Sequence, residues 1–254
     1  MTNHFIYSYL GNKRSEFKHL HNVIDDIDNY DTIIEPFCGT SAISFNIWLN
    51  HPNKKFILND KNKDLINVYN LIKTEDIETI KNRLLDIKTT INNDRDVFNM
   101  MYKNFKKCKD PDIYEYIYFN KFYHFSRIGN YKECKFKDFT KQQHKFFEFI
   151  KTADITFMNN DWYDVFKEYS NNDKALIFID PPYLMSYNIF YKDFNTNIYE
   201  FFFNNNIKQF KAKLILMLEN NWIIKLLFKN EKSFVYDKNY SLTKKQTNHI
   251  IISN

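Results

Sequence analysis

Leu176-Ile-Phe-Ile-Asp180-Pro181-Pro182-Tyr183-Leu184 is the stretch on which the reading of this chain turns. Four apolar residues, Leu176 to Ile179, stand between Asn172-Asp173 and a pair of prolines, the pattern of a short strand buried on both faces. Such a strand ends at Asp180. In open α/β sheets ligands bind beyond the carboxyl ends of the strands, so Asp180 to Tyr183 is expected at the rim of a site.

The same four residues suit transfer of a methyl group to an exocyclic amine of a base. The amine lone pair is delocalised into the ring, so an enzyme must set acceptors on the two N–H groups to turn it toward an electrophile. Asp180 supplies a carboxylate acceptor and the Pro181 carbonyl a second, aimed by the ring-fixed φ angles of Pro181 and Pro182. Tyr183 offers a π-face on which an extruded base stacks. The plainer alternative is a proline-terminated strand with an incidental Asp and Tyr, because the motif is specific but short.

Upstream, Thr32-Ile-Ile34 reads as a strand ending in Glu35-Pro36-Phe37-Cys38-Gly39-Thr40-Ser41, followed by the apolar helix Ala42 to Leu49. Strand, small-residue turn and helix in that order let a ligand approach main-chain N–H groups. A second strand, Lys55 to Leu58, leads into Asn59-Asp60, and Asp60 falls 21 positions after Gly39. That separation suits a carboxylate reaching a ribose hydroxyl pair in a Rossmann-like βαβ unit. A dinucleotide would want Gly-x-Gly-x-x-Gly beneath its pyrophosphate, yet Gly39 stands alone, with Ser41 and Ser44 where the other glycines would be. An adenosyl cofactor without phosphate, S-adenosyl-L-methionine, is therefore expected over a nicotinamide.

At the N-terminus, Gly11 and Asn12 suit a tight turn from which Lys13 can approach a carboxylate, and Ser15 caps an expected helix carrying Phe17, Leu20, Val23 and Ile24. Residues 61–92 carry two helical stripes. Residues 97–151 mix aromatic and basic side chains, most of them expected to pack a small helical subdomain. Arg127, Asn130 and Lys132, around Gly129, are candidates for base or phosphate contact because the local signal is a turn. Asp161 and Trp162, after an expected strand from Ala153, could meet an adenine amine and cover its ring; alternatively Asp161 is the N-cap of a helix over Tyr163 to Tyr169. Further on, Phe201 to Phe210 reads as a helix, Lys213 to Leu218 as a strand, Trp222 to Phe228 as a helix, and Phe234 to Tyr236 with Ile250 to Ile252 as closing strands.

Composition narrows the class. Over 254 residues, 44% hydrophobic and 19% aromatic content excludes a disordered chain. No apolar run of spanning length and no signal-peptide core occur, so an intracellular, cytoplasmic protein without membrane contact is expected. Cys38, Cys108 and Cys134 form no Cys-x-x-Cys pair, which suits reduced thiols and implies no metal. The seven His are scattered and read as surface or core. The net charge of +5 is uneven: residues 103–151 carry 12 basic and 6 acidic side chains, where a polyanion would touch, or where a lysine-rich face is simply solvated.

Taken in order, these motifs resemble the Dam-type (D12 class) DNA adenine-N6 methyltransferases. Tyr9-Leu-Gly11-Asn12-Lys13 is similar to the family's first cofactor motif, Glu35-Pro-Phe-Cys-Gly39 to its second, Leu58-Asn-Asp60 to its ribose-binding acid, Asp161-Trp162 to its adenine-binding pair, and Asp180 to Tyr183 to its catalytic motif. The resemblance implies an α/β, Rossmann-like S-adenosylmethionine-dependent methyltransferase fold with a mainly helical inserted target-recognition domain. Its parts would be residues 1–61 and 153–254 for catalysis and 62–152 for recognition. It implies cofactor binding by Tyr9, Lys13, Glu35, Pro36, Phe37, Cys38, Gly39, Thr40, Ser41, Asp60, Asp161, Trp162 and Asp180, and catalysis by Asp180, Pro181, Pro182 and Tyr183. Double-stranded DNA would be the partner, met by Arg127, Asn130, Lys132 and Asn120, with N6 of a flipped adenine as acceptor. Two departures stand out: Ser41 replaces the usual second glycine, and the segment Tyr118 to Arg127 is only loosely similar to the family's recognition loop, so no target sequence carries over. Cytosine N4 or RNA as substrate, and a catalytically silent nucleic-acid-binding subunit, remain the alternatives.

Overall fold

The computed structural model describes residues 4–7, 13, 16–24, 26–126, 138–183, 197–240 and 245–254. The chain divides into two compact units, Met1–Asn12 with Asn62–Ala153 and Lys13–Lys61 with Asp154–Asn254. The second unit is built on a sheet of β1 (Thr32–Glu35), β2 (Lys55–Asn59), β3 (Asp154–Met158), β4 (Ala175–Ile179), β5 (Lys213–Glu219), β6 (Lys232–Tyr240) and β7 (Lys245–Ser253). Their order is β3-β2-β1-β4-β5-β7-β6. The first five are mutually parallel, and β7 runs antiparallel between β5 and β6. This is the α/β, Rossmann-like architecture expected from the sequence.

In chain order the helices are α1 (Ala42–Trp48), α2 (Lys63–Thr74), α3 (Ile77–Ile91), α4 (Arg95–Lys107), α5 (Ile113–Ser126), α6 (Lys141–Thr152), α7 (Trp162–Tyr169), α8 (Asn197–Asn204) and α9 (Trp222–Leu227). Of these, α1, α7, α8 and α9 belong to the sheet unit and the rest to the other. Among the described residues no helix is long and apolar enough to cross a membrane.

Every residue of β4 is buried, which is why its sequence is continuously apolar rather than alternating. The register sets Ile34 beside Ile57 and Ile177, Ile179 beside Leu216, and Leu218 beside Ile250. Together with Ile252 these side chains cover one face and pack on Trp162, Val165 and Phe166 of α7, Ile198 and Phe202 of α8, and Ile224 of α9. Because successive side chains of a strand point to opposite faces, Glu35, Phe178, Met217, Glu219, His249 and Ile251 lie on the other one, and Asp180 continues that alternation just past β4. This second face meets a short 3₁₀ turn, Phe17–Asn22, whose His19 ring stacks on Tyr236 of β6 at 4.7 Å.

In the helical unit the helix starts are signalled locally. The side chains of Asn62 and Asp94 accept from main-chain N–H groups of α2 and α4, and Thr140 with Gln143 forms a capping box on α6. Gln143 also donates to the Phe5 carbonyl at 2.9 Å, and the Phe5 ring meets Tyr69 and Phe146, so residues 4–7 are sewn into this unit.

Two elements differ from expectation. The helix expected over Phe201 to Phe210 stops at Asn204, and a separate 3₁₀ turn, Ile207–Gln209, follows. Asparagines make the break: Asn205 donates to the Phe201 carbonyl, while Asn206 accepts from the Lys208 N–H and starts the new turn. Near the N-terminus, Phe17–Asn22 is a 3₁₀ turn rather than an α-helix.

Candidate active site

A buried asparagine ties the carboxyl ends of three strands together. Asn59 closes β2, is wholly buried, and donates through Nδ2 to the carbonyls of Pro36, at 2.9 Å, and Asn160, at 3.1 Å; its Oδ1 accepts from the Asn160 N–H at 2.8 Å. The segments leaving β1 and β3 are thereby held beside β2, and the Cys38 N–H adds a bond to the Asn59 carbonyl.

On this base sits the turn from Cys38 to Ser41. Gly39 takes a φ of 49° and donates its N–H to Asp60 Oδ2 at 3.0 Å, so the two residues spaced for a nucleoside pocket meet directly. Ser41 also has a φ of 49°, a left-handed conformation that costs a residue with a Cβ about 1–2 kcal/mol. The backbone thus keeps a glycine-like path through a serine. Glu35 turns back beneath the start of α1, where its Oε1 accepts from the Ser44 N–H at 2.9 Å and the Ser44 hydroxyl at 2.5 Å. Burial pushes its carboxyl up to about 7, against the pull of those two bonds. Burial, with Asp60 and Glu35 adding, also raises the Cys38 thiol well above its ordinary value, which disfavours the nucleophilic thiolate.

Asp180 lies one residue beyond β4. Its Oδ2 pairs with Lys13 Nζ at 2.5 Å, the two side chains being 16% and 7% exposed. Burial alone would lower the Lys13 ammonium, yet Asp180, Tyr183 and Glu16 outweigh it and hold the lysine well above its usual value. Burial raises the Asp180 carboxyl while Lys13 opposes the rise. The second oxygen, Oδ1, is buried and has no hydrogen-bond partner among the described residues. Lys13 Nζ lies 5.2 Å from the centre of the Tyr183 ring, and the Tyr183 hydroxyl lies 3.2 Å from His249 Nδ1. Tyr199 donates its hydroxyl to the Pro182 carbonyl at 3.1 Å, fixing the two-proline segment. Glu16, wholly buried, pairs with Lys238 of β6.

Asp161 and Trp162 begin α7. The Asp161 carboxylate accepts from the Tyr163 N–H at 3.0 Å and caps the helix. Trp162 is 6% exposed; its ring stacks on Phe37 at 6.2 Å, and its indole N–H has no hydrogen-bond partner among the described residues. Lys13, Glu35 to Ser41, Asp60, Asp161, Trp162 and Asp180 to Tyr183 all belong to the sheet unit. Asn120 belongs to the helical unit, where its Nδ2 donates to the Tyr116 carbonyl at 2.8 Å within α5. Tyr9, Arg127, Asn130 and Lys132 lie outside the described residues.

Sequence reasoning gave no structural or chemical role to Asn59, Ser44, Glu16, Lys238 and His249. Asn59 adjoins the singled-out Asp60, and Glu16 falls three residues after Lys13, so both had a weak local signal. Lys238 and His249 had only their even spacing from inward-facing neighbours on their strands.

A family model described as D12 class N6 adenine-specific DNA methyltransferase matches residues 9–247. Proteins named DNA adenine methylase from Salmonella typhi and Salmonella typhimurium are 31% identical to this chain over 94 residues, which is 35% of this chain and 32% of each relative. The match thus spans about a third of the length of those curated relatives.

Proposed function

This chain belongs to the D12 class N6 adenine-specific DNA methyltransferase family, and from that membership we propose that it transfers a methyl group from S-adenosyl-L-methionine to N6 of an adenine flipped out of double-stranded DNA. The observation that carries the reading is the buried Asp180 Oδ1, which lacks a partner among the described residues just past β4, at the head of Pro181-Pro182-Tyr183. A buried acceptor without a donor costs free energy unless a ligand supplies one, and an amino group is such a donor.

The residues present suit the adenosyl donor. Asp60, already fixed by the Gly39 N–H, is the carboxylate for its ribose; the turn from Phe37 to Ser41, with positive φ at Gly39 and Ser41, brings main chain close to it. Glu35, Pro36, Lys13, Asp161 and Trp162 complete the proposed set, with Tyr9. When bound, the donor supplies an electrophilic methyl group on a sulfonium.

The chain's own part is to prepare the amine. Lys13 holds Asp180 Oδ2 and keeps the proton on itself, so Oδ1 faces the base as an ionised acceptor. The Asp180 Oδ1 accepts one amine N–H and the Pro181 carbonyl the other, which turns the nitrogen lone pair out of conjugation. Tyr183 stacks under the base. The proton released from N6 leaves along its hydrogen bond to Asp180 Oδ1, whose basicity burial raises. The helical unit acts as the target-recognition domain, its surplus of basic residues over 103–151 meeting phosphates, with Asn120, Arg127, Asn130 and Lys132 as DNA contacts.

The test is incorporation of labelled methyl into duplex DNA, single strands and RNA, followed by nucleoside analysis. N6-methyladenine in duplex DNA is the expected product; N4-methylcytosine or methylated RNA would replace the substrate assignment. Asp180→Ala is expected to lower the rate by about a thousandfold while cofactor titration by calorimetry stays near wild type. Loss of both together would make Asp180 structural and remove the mechanism.

A further inference from the structure

Tyr183 has to present a flat face at a fixed angle, and nothing in a Pro-Pro-Tyr sequence does that. The last torsion of a tyrosine side chain is broad, so ring orientation must come from contacts. His249 supplies two. Its Nδ1 lies 3.2 Å from the Tyr183 hydroxyl, and its ring stands edge-on to the Tyr183 ring, centres 5.0 Å apart and planes at 88°. One contact holds the far end of the ring and the other its rotation.

The support beneath His249 is a sheet paired on both sides. It lies within β7 between two ladders, opposite Glu219 of β5 and Tyr236 of β6, and is 1% exposed. Tyr236 packs on it at 5.7 Å. Burial, with the charges of Lys13 and Lys238 adding, pushes its imidazole down to about 4, against Glu16, so the ring is neutral at neutral pH. A neutral ring with its proton on Nε2 accepts a hydrogen bond from the Tyr183 hydroxyl at Nδ1.

We propose that His249 is a positioning residue that sets the plane of Tyr183 for the extruded base, so that the tyrosine hydroxyl serves as an anchor to the sheet rather than as a contact to substrate. This rests on Tyr183 being the stacking surface proposed above.

A double-mutant cycle on the full chain tests it, with labelled S-adenosylmethionine and long unmethylated double-stranded DNA. His249→Phe and Tyr183→Phe should each lower kcat about fivefold with the cofactor KM unchanged, the size expected for one hydrogen bond. The double variant should be no slower than either single, because both remove the same bond. His249→Asn, whose side-chain oxygen falls near the Nδ1 position, should recover part of the loss. Losses that multiply, or a His249→Phe protein with lowered melting temperature and unaltered kcat, would overturn the proposal. Should His249→Phe not fold, His249→Leu takes its place in the cycle. If the wild-type protein methylates no DNA, the functional reading fails first and this inference with it; if Tyr183→Ala keeps full rate, the stacking role fails whatever the cycle gives.

Discussion

The two faces of the sheet are both buried, and they are chemically unlike. One is a continuous aliphatic and aromatic layer, from Ile34 and Ile57 through Leu216 and Ile250 to Trp162, Phe166 and Phe202. The other carries Phe178, Met217 and Ile251 together with buried Glu35, Glu16, Lys238 and His249, and has the Lys13–Asp180 pair at its carboxyl end. An apolar layer stabilises by area and is indifferent to orientation. Charges buried within a layer must be paired and hydrogen-bonded in detail. One face is packed by apolar side chains alone; the other adds buried charges beside the segment Asp180 to Tyr183.

The sharpest way to break this contrast is to remove one charge. Glu16→Ala removes the buried carboxylate paired with Lys238 and is expected to cost about 3–5 kcal/mol in denaturant unfolding, whereas Glu16→Leu with Lys238→Met is expected to restore stability to wild type or beyond it. Rescue in the double variant, with methyl transfer still impaired, would mark the pair as serving the site. On the opposite face Phe166→Ala should cost a similar amount, about 3–5 kcal/mol, through the cavity it leaves.

Next in size is a pH effect. The Glu35 carboxyl is raised from 4.5 to about 7 in the folded protein, so its protonated form is the one the fold favours. Its contribution is fully present below pH 4.5 and is lost as pH rises through about 7, a fall of about 3 kcal/mol. Glu35→Gln should flatten the slope of stability between those limits in thermal unfolding; an unchanged slope would place the titrating group elsewhere. The smallest effect belongs to the apolar side, where Asp161→Ala removes the cap of α7 and is expected to cost about 1 kcal/mol with cofactor affinity as the second readout. A drop in affinity larger than the loss of stability would give Asp161 a role beyond the cap.

Much of the architecture was legible because its signals are local. The apolar run ending at Asp180, the turn after Glu35 and the strand before Asp60 were read from adjacent residues, and each strand appears where expected. The Asn-rich break after α8 was misread because Phe201, Phe202 and Phe210 suggest one continuous stripe, while side-chain amides that compete for the backbone carry no hydropathy signal. Glu16, Lys238 and His249 were passed over for a related reason. A lone charged or imidazole side chain reads as solvated unless its partner is known, and the partner of Lys238 is 222 residues away.

Local order, then, is what the amino-acid sequence settled alone: which segments extend, where the turns fall, and which motif follows which, since propensity and patterning act over a few neighbours. Membership of its family was carried by the same linear order. Strand adjacency belongs to the tertiary structure. Only the β4-β5-β7-β6 arrangement brings Lys13, Asp180, Tyr183, His249 and Lys238 together, because backbone ladders are chemically generic and the choice among them is made by the packing of two whole faces at once.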